Sequence, residues 1–324
     1  MQIPTNNKKA LLTRFNNYDL YQTLVKRLPQ LYRPQDAILH VIVAITLLAA
    51  FIIRCYNHVA HHFMTLNLPP IVVSAIPGLI IIWILGLFLY KRHPHVGLFL
   101  SSLGAVFLFI LICSYALGSA ITTPFPIIDP VLLKIDSVLG FSTTQVMAST
   151  YHYSWIVHFL NFCYNTWFIQ LCLTPLLLAV YNNRTEIDRY MIATFFSFLI
   201  GGMIYYFWPT IAPAGVLHSP YFLPDQIALV TRFTEVHQHL PISVLEGGMI
   251  AFPSFHVINA LLILYAWRRY PVVLIPLLII DLGLITATLA LGYHYLLDIV
   301  AAFVLAYFSI KSTNYVLKQF YPRQ

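Results

Sequence analysis

Eight long apolar segments constrain the fold of this chain more than any other feature. A helix needs about 20 apolar residues to cross a bilayer, and the segments are close to that length. Because 59% of the residues are hydrophobic and only 9% are charged, a soluble domain and a disordered chain are excluded. The unbroken runs also differ from the alternating strands of a membrane β-barrel. We therefore expect an all-α fold, a polytopic membrane helical bundle with about eight transmembrane helices. The segments are 37–56, 69–90, 96–118, 154–180, 190–208, 249–267, 271–292 and 294–311.

The positions of the basic residues predict the topology. With a cytoplasmic N-terminus and eight spans, all of the 18 lysines and arginines except Arg54, Lys134 and Arg232 fall on the cytoplasmic side. The net charge of +7 therefore reflects topology, and no nucleic-acid partner is expected. Both termini are predicted to be cytoplasmic. The compact chain favours a bacterial inner membrane with a periplasmic outer face, which would be lumenal in a eukaryote. The apolar outer loop 119–153 is expected to contain a short helix along the membrane surface.

Three ionisable residues lie at one membrane depth in this topology. His256 is near the outer end of the sixth span, and His294 and Asp298 are at the outer end of the eighth. Ionisable groups at such positions are costly and are functional candidates by default. The spacing of His294 and Asp298 predicts that they share a helix face, so that the carboxylate orients the imidazole. Two histidines with an orienting acid can supply a nucleophile and an acid/base group.

The two motifs that carry these residues resemble a known family. The string PSFH at 253–256 and the string HYLLD at 294–298 are similar to motifs of the type 2 phosphatidic acid phosphatase superfamily. Within it, the chain looks most like the inositol phosphorylceramide synthase branch, whose members are inositolphosphotransferases. The resemblance implies a six-helix catalytic core preceded by two extra transmembrane helices. The implied boundaries are 1–36 for a cytoplasmic N-terminal segment, 37–95 for the extra helices, 96–311 for the core and 312–324 for a cytoplasmic tail.

The resemblance also implies a role for each motif residue. His294 would attack phosphorus and form a phosphohistidine, and Asp298 would hold His294 in the required tautomer. His256 would protonate the leaving alkoxide and then deprotonate the acceptor. The family requires no metal, and no cofactor is expected.

The chain departs from the phosphatase members of this family. It lacks their KxxxxxxRP motif, and Thr288 and Phe255 stand where they have arginine and glycine. The lipid phosphotransferase branch lacks those cations too, so the departures favour transfer over hydrolysis.

Other residues are candidates for binding the substrate. Arg232, and after it Lys134, are either phosphate ligands or plain surface charges. Ser254 precedes His256 in the motif, and Glu246 lies close to that motif in sequence. His158 and Tyr164 belong to a polar stripe in the fourth segment, which either faces the reaction chamber or makes interhelical hydrogen bonds.

The sequence thus predicts a lipid phosphotransferase that moves a phospho-head group from a membrane phospholipid to a lipid alcohol. A lipid-phosphate phosphatase, with water as the acceptor, is the alternative. A small-molecule transporter is a third hypothesis, but the chain lacks the repeated halves and interrupted midplane spans typical of one. Participation of a partner subunit stays open.

Overall fold

The computed structural model describes residues 34–64, 68–244 and 251–319. This part of the chain is helical and contains no strand, which confirms the predicted fold class. The helices are α1 Pro34–His61, α2 Pro70–Tyr90, α3 Pro94–Ala120, α4 Asp129–Val138, α5 Thr143–Tyr151, α6 Ser154–Asn165, α7 Trp167–Val180, α8 Arg184–Phe207, α9 Pro224–His237, α10 Phe255–Trp267, α11 Pro271–Ala290 and α12 Leu296–Leu317.

The long helices identify a multi-pass membrane protein. Within the described ranges, six helices are long and apolar enough to cross a bilayer, namely α1, α2, α3, α8, α11 and α12. The bent pair of α6 and α7 makes a seventh candidate, and α10 is a shorter apolar helix of 13 residues. Each of the eight predicted segments therefore contains a helix.

The fourth predicted span is broken, which the apolar pattern did not predict. Helices α6 and α7 meet at Thr166 with a bend of 45°. The Thr166 hydroxyl donates to the Cys163 carbonyl at 2.6 Å and accepts from Gln170 Nε2 at 2.9 Å. Such local side-chain bonds to the backbone often bend helices. The break changes the direction of the chain between Asn165 and Trp167.

Small residues let α2 and α3 pack backbone against backbone. A Cβ atom on Gly86 would lie 2.2 Å from the Ser101 nitrogen, and one on Gly104 would lie 2.7 Å from Trp83 Cβ. Helix α3 also packs against α1, α7 and α8, and α8 packs in turn against α10 and α12. Helix α3 thus contacts the N-terminal helices α1 and α2 as well as α7 and α8. The domain boundary expected between the two extra helices and the catalytic core stays a prediction.

A cluster of charged residues lies at one end of the bundle, and three short helices lie at the other. At one end, the buried Glu186 carboxylate accepts from Arg268 at 2.8 and 2.9 Å and from Arg189, and Arg269 lies 3.8 Å away. The α4 and α5 helices form within the predicted outer loop 119–153, and α9 forms in the second long connection. At the opposite end, α4 contacts Tyr295 and Leu296 of the second motif, and α9 contacts Leu291 and Tyr293 just before it.

Candidate active site

A hydrogen bond joins the two sequence motifs. The Ser254 hydroxyl lies 3.1 Å from His294 Nε2, and the Ser254 backbone nitrogen donates to the Asp298 carbonyl at 3.3 Å. Ser254 is the residue before α10, whose first turn holds His256. Both Ser254 and His294 are almost fully buried. The structure thus brings three of the predicted site residues together at one end of α10 and α12.

His294 does not lie on a helix, contrary to the expectation that it shares a helix face with Asp298. Helix α11 ends at Ala290, Gly292 has φ +78°, and α12 begins only at Leu296. The His294 nitrogen donates to the Thr288 carbonyl at 2.9 Å, which fixes the turn. The positive φ of Gly292 favours glycine. The turn at Gly292 follows the end of α11, so His294 lies in the loop that connects α11 to α12.

Asp298 nevertheless reaches back to His294. Its Oδ2 accepts from His294 Nδ1 at 3.1 Å and from the Tyr295 nitrogen at 3.0 Å. With Nδ1 as the donor, Nε2 carries the lone pair and is directed toward Ser254. A neutral imidazole in this tautomer can act as a nucleophile at Nε2.

His256 faces the same cavity as His294. The two ring centroids lie 6.0 Å apart. His256 stacks on Tyr164 at 4.4 Å and makes an edge contact with Trp167 at 4.9 Å. The cavity has a volume of about 280 Å³. It is lined by Tyr164, Asn165, Trp167, Ala212, Ala214, Asp225, Gln226, Leu229, Ala251, His256, Gly292, Tyr293 and His294.

The structure brings Tyr164 to the cavity but leaves His158 away from it. His158 is exposed on α6, and its Nδ1 bonds the Ser154 carbonyl of the same helix at 2.6 Å. His158 is not among the described lining residues of the cavity, and its contact with substrate stays a prediction.

The predicted phosphate-binding cations do not line the cavity. Lys134 is exposed on α4, and Arg232 is buried on α9, where burial lowers its guanidinium pKa. Arg232 lies close enough to Tyr205 for an electrostatic interaction. Among the described lining residues there is no lysine and no arginine. Glu246 lies outside the described residues.

Two aspartates on α4 support the loop that holds His294, and they were missed in the sequence. Asp129 Oδ1 accepts from the Tyr295 hydroxyl at 3.1 Å, and its Oδ2 accepts from the Ile211 nitrogen at 3.0 Å. Asp136 Oδ2 accepts from the Leu296 nitrogen at 3.2 Å. Burial raises the pKa of Asp129 to about 6 and also raises that of Asp136. The available signal in the sequence was the presence of acidic residues in the otherwise apolar loop 119–153.

A second pair that the sequence did not reveal lies within the cavity. The Tyr293 hydroxyl donates to Asp225 Oδ2 at 2.9 Å, and burial, followed by the nearby Asp225, raises the Tyr293 pKa. The Tyr293 ring stacks on Tyr164 at 4.0 Å, so Tyr293, Tyr164 and His256 form a continuous stack.

Comparison with known proteins agrees with this geometry. A family model described as PAP2 superfamily matches residues 130–312, which include both motifs. Searches of curated proteins and of solved structures gave no significant match. The family match covers more than half of the chain. The chain therefore belongs to the PAP2 superfamily, a family of helical membrane proteins, and is an enzyme of the phosphatase-like type that acts on phosphoesters.

Proposed function

We propose that the protein is a lipid phosphotransferase that moves a phospho-head group from a phospholipid to a lipid alcohol. The observation that carries the proposal is the hydrogen-bonded series from Asp298 through His294 to Ser254, which opens onto the cavity that also holds His256. This series supplies an oriented nucleophile, and His256 supplies a second proton carrier within the same cavity.

The first half of the proposed reaction transfers the head-group phosphate to the enzyme. His294 Nε2 attacks phosphorus, forming an N–P bond as the bond between phosphorus and the diacylglycerol oxygen breaks. Protonated His256 gives its proton to that oxygen, so diacylglycerol leaves as a neutral alcohol. The Asp298 carboxylate keeps its hydrogen bond from Nδ1–H of the phosphorylated imidazole and stabilises the positive charge of that ring.

The second half transfers the phosphate to the acceptor. The hydroxyl of a lipid alcohol gives its proton to His256, which is now neutral, and its oxygen attacks phosphorus. The N–P bond breaks and its electron pair returns to His294 Nε2. The Ser254 hydroxyl contacts His294 Nε2 in the resting enzyme, and during the reaction it would donate a hydrogen bond to a phosphate oxygen. His256 is then protonated again and His294 Nε2 has its lone pair, so the enzyme has returned to its starting state.

Two observations favour transfer over hydrolysis. Thr288 replaces the arginine of the phosphatases, and no lysine or arginine is found among the described lining residues. The motif pattern also resembles the inositol phosphorylceramide synthase branch, which supports a lipid hydroxyl as the acceptor.

A lipid-phosphate phosphatase is the second candidate. Asn165, Asp225 and Gln226 give the cavity polar groups that can bind water. Water bound beside phosphohistidine would act as the acceptor in place of a lipid alcohol.

An assay with the full chain in liposomes tests both candidates. Phospholipids with labelled head groups are supplied with and without a lipid alcohol, and diacylglycerol and labelled products are measured. We expect diacylglycerol release that requires the alcohol and is lost in His294→Ala. The matched control is His152→Ala, which removes an exposed histidine outside the described lining. Alcohol-independent release with a water-soluble phosphate product would indicate the phosphatase. Full activity in His294→Ala would refute both.

We also propose the topology and the boundaries expected from the sequence, with both termini cytoplasmic and the cavity on the outer face of a bacterial inner membrane. The cluster of Glu186 with Arg189, Arg268 and Arg269 supports this orientation, because it places cations at the end of the bundle away from His294.

A further inference from the structure

We infer that the donor phospholipid carries an ammonium head group, and that Asp225 with the neighbouring aromatic rings binds it. The inference rests on the proposed function and names the substrate class of the same cavity. It differs from the inositol head group that the family resemblance suggests. The chemistry concerned is that of a phospholipid whose phosphate is esterified to an amino alcohol, with a primary or a quaternary nitrogen.

Asp225 gives the cavity its only acidic side chain among the described lining residues. It lies in the first turn of α9, where a carboxylate also stabilises the helix N-terminus. Its side chain does more than this, because Oδ2 accepts the Tyr293 hydroxyl at 2.9 Å at the cavity wall. A carboxylate can accept about four hydrogen bonds, so one from tyrosine leaves capacity for an ammonium group.

Aromatic rings surround the same part of the cavity. Tyr164 has one face against Tyr293 at 4.0 Å and another ring contact with His256 at 4.4 Å. The lining rings that a ligand can contact are therefore chiefly those of Tyr293 and Trp167. Ammonium groups are attracted to the faces of such rings, especially where water is excluded. A carboxylate beside aromatic rings is thus suited to a cation.

The subsite and His294 line the same cavity. Tyr293 directly precedes His294 in the chain, and both residues line the cavity. In an ethanolamine or choline phospholipid, only a short carbon chain separates the phosphate oxygen from the nitrogen. With phosphorus at His294 Nε2, we place the nitrogen in the part of the same cavity that Tyr293 and Asp225 line.

Other head groups fit the cavity charge less well. A glycerol donor brings no cation to pair with Asp225, and the second negative charge of a phosphatidic acid donor would have no lysine or arginine among the described lining residues to offset it. An inositol could bond Asp225 and Gln226, but it would leave the carboxylate charge without a counter-ion. An ammonium group can pair with the Asp225 carboxylate and can also contact the faces of the aromatic rings.

A donor-competition assay with the full chain in liposomes tests the inference. Phosphatidylethanolamine, phosphatidylcholine, phosphatidylinositol and phosphatidylglycerol are offered at equal concentration, and kcat/KM is measured for diacylglycerol release from each. We expect an ammonium donor to exceed the other two by at least about 10-fold, the effect of one ion pair in a partly dry cavity. In Asp225→Asn we expect this preference to fall about 10-fold, with the phosphatidylinositol rate little changed.

Matched variants separate head-group recognition from folding. Glu235→Gln neutralises another acid on α9, which bonds Ser243 outside the described lining, and should keep the preference. Tyr293→Phe retains the ring and should preserve most of the preference, whereas Tyr293→Leu should reduce it. The donor ranking of the wild type tests the inference even where Asp225→Asn fails to fold.

The outcomes distinguish the two proposals. Release from no donor, or release that persists in His294→Ala, would refute the proposed function itself. A wild type that is His294-dependent but prefers phosphatidylinositol or phosphatidylglycerol would overturn the ammonium inference and leave the proposed function standing. An unaltered donor ratio in both Asp225→Asn and Tyr293→Leu would also overturn it.

Discussion

The Tyr295 hydroxyl lies 3.1 Å from Asp129 Oδ1, so a residue beside His294 is bonded to helix α4. Tyr295 is fully buried, and its backbone nitrogen donates to Asp298 at 3.0 Å. One residue therefore joins α4 to the carboxylate that orients His294. The arrangement couples the stability of α4 to the geometry of the site.

Tyr295→Phe should destabilise the protein through this contact. The substitution keeps the ring but leaves one oxygen of the buried Asp129 without its donor, which costs about 1–3 kcal/mol. Thermal unfolding in detergent would measure the loss as a lower Tm. Tyr315→Phe, at an exposed tyrosine near the end of α12, is the matched control. Equal transitions for Tyr295→Phe and the wild type would contradict the prediction.

Asp129 should also make the stability depend on pH. Burial raises its pKa from the ordinary 3.8 to about 6, so the folded state holds the proton more tightly than the unfolded state. The stabilisation is present below about pH 4 and is lost as the pH rises through about 6. Over that range, the free energy of unfolding of the wild type should fall by about 3 kcal/mol relative to Asp129→Asn.

Denaturant unfolding between about pH 4 and about pH 8 measures this difference. Asp136 and other acids titrate in both proteins, so their contributions cancel in the comparison. Parallel stability curves for the wild type and Asp129→Asn would show that Asp129 does not titrate in this window.

The catalytic candidates could be predicted from the sequence because their signal is local. His256, His294 and Asp298 stand at the ends of apolar segments, where an ionisable group is conspicuous, and their membrane depth follows from segment order. The structure brings them together with Ser254. Their catalytic roles stay predictions until activity is measured.

The supporting residues could not be predicted because they depend on tertiary packing. Asp129 and Asp136 are ordinary loop acids until α4 packs beside the start of α12. Arg232 is a loop cation in the sequence, and only the register of α9 shows that its side chain is buried. At the break, the Thr166 hydroxyl bonds the Cys163 carbonyl, a contact that an apolar pattern does not encode.

Gly292→Ala should impair the site, because Gly292 forms the turn two residues before His294. Alanine is strained at φ +78°, by about 1–2 kcal/mol, and its Cβ would lie 2.4 Å from Met147 Sδ. The backbone strain and the close contact with Met147 can be relieved only if the loop that carries Tyr293 and His294 moves. Because a displacement of about 1 Å can cost about 100-fold in rate, we expect a large loss of kcat.

Two further variants identify the cause of that loss. Gly202→Ala places a methyl group where no atom lies within 4 Å and should be nearly neutral. The double variant Gly292→Ala/Met147→Ala relieves the clash but keeps the strain, so it should recover only part of the activity. Wild-type kinetics in Gly292→Ala would contradict the importance of this turn.

Asp298→Asn should lower kcat with little change in KM. The amide can direct its NH₂ group at His294 Nδ1, which shifts the imidazole proton to Nε2 and removes the nucleophilic lone pair. We expect a loss of at least about 100-fold in kcat. Acid quenching with a phosphorus-labelled donor should trap less phosphohistidine than in the wild type. Undiminished trapping would mean that Asp298 does not set the tautomer.

Cysteine labelling should distinguish the two ends of the bundle. Gln238 is exposed beyond α9 at the end that holds His294, whereas Arg92 is exposed between α2 and α3. A background without Cys55 and Cys172 leaves only the buried Cys113 and Cys163. In bacterial cells with a permeabilised outer membrane, an impermeant maleimide should label Gln238→Cys at once. It should label Arg92→Cys only after lysis, because the proposed topology places the loop between α2 and α3 on the cytoplasmic side. The reverse pattern would invert the topology and place the cavity on the cytoplasmic face.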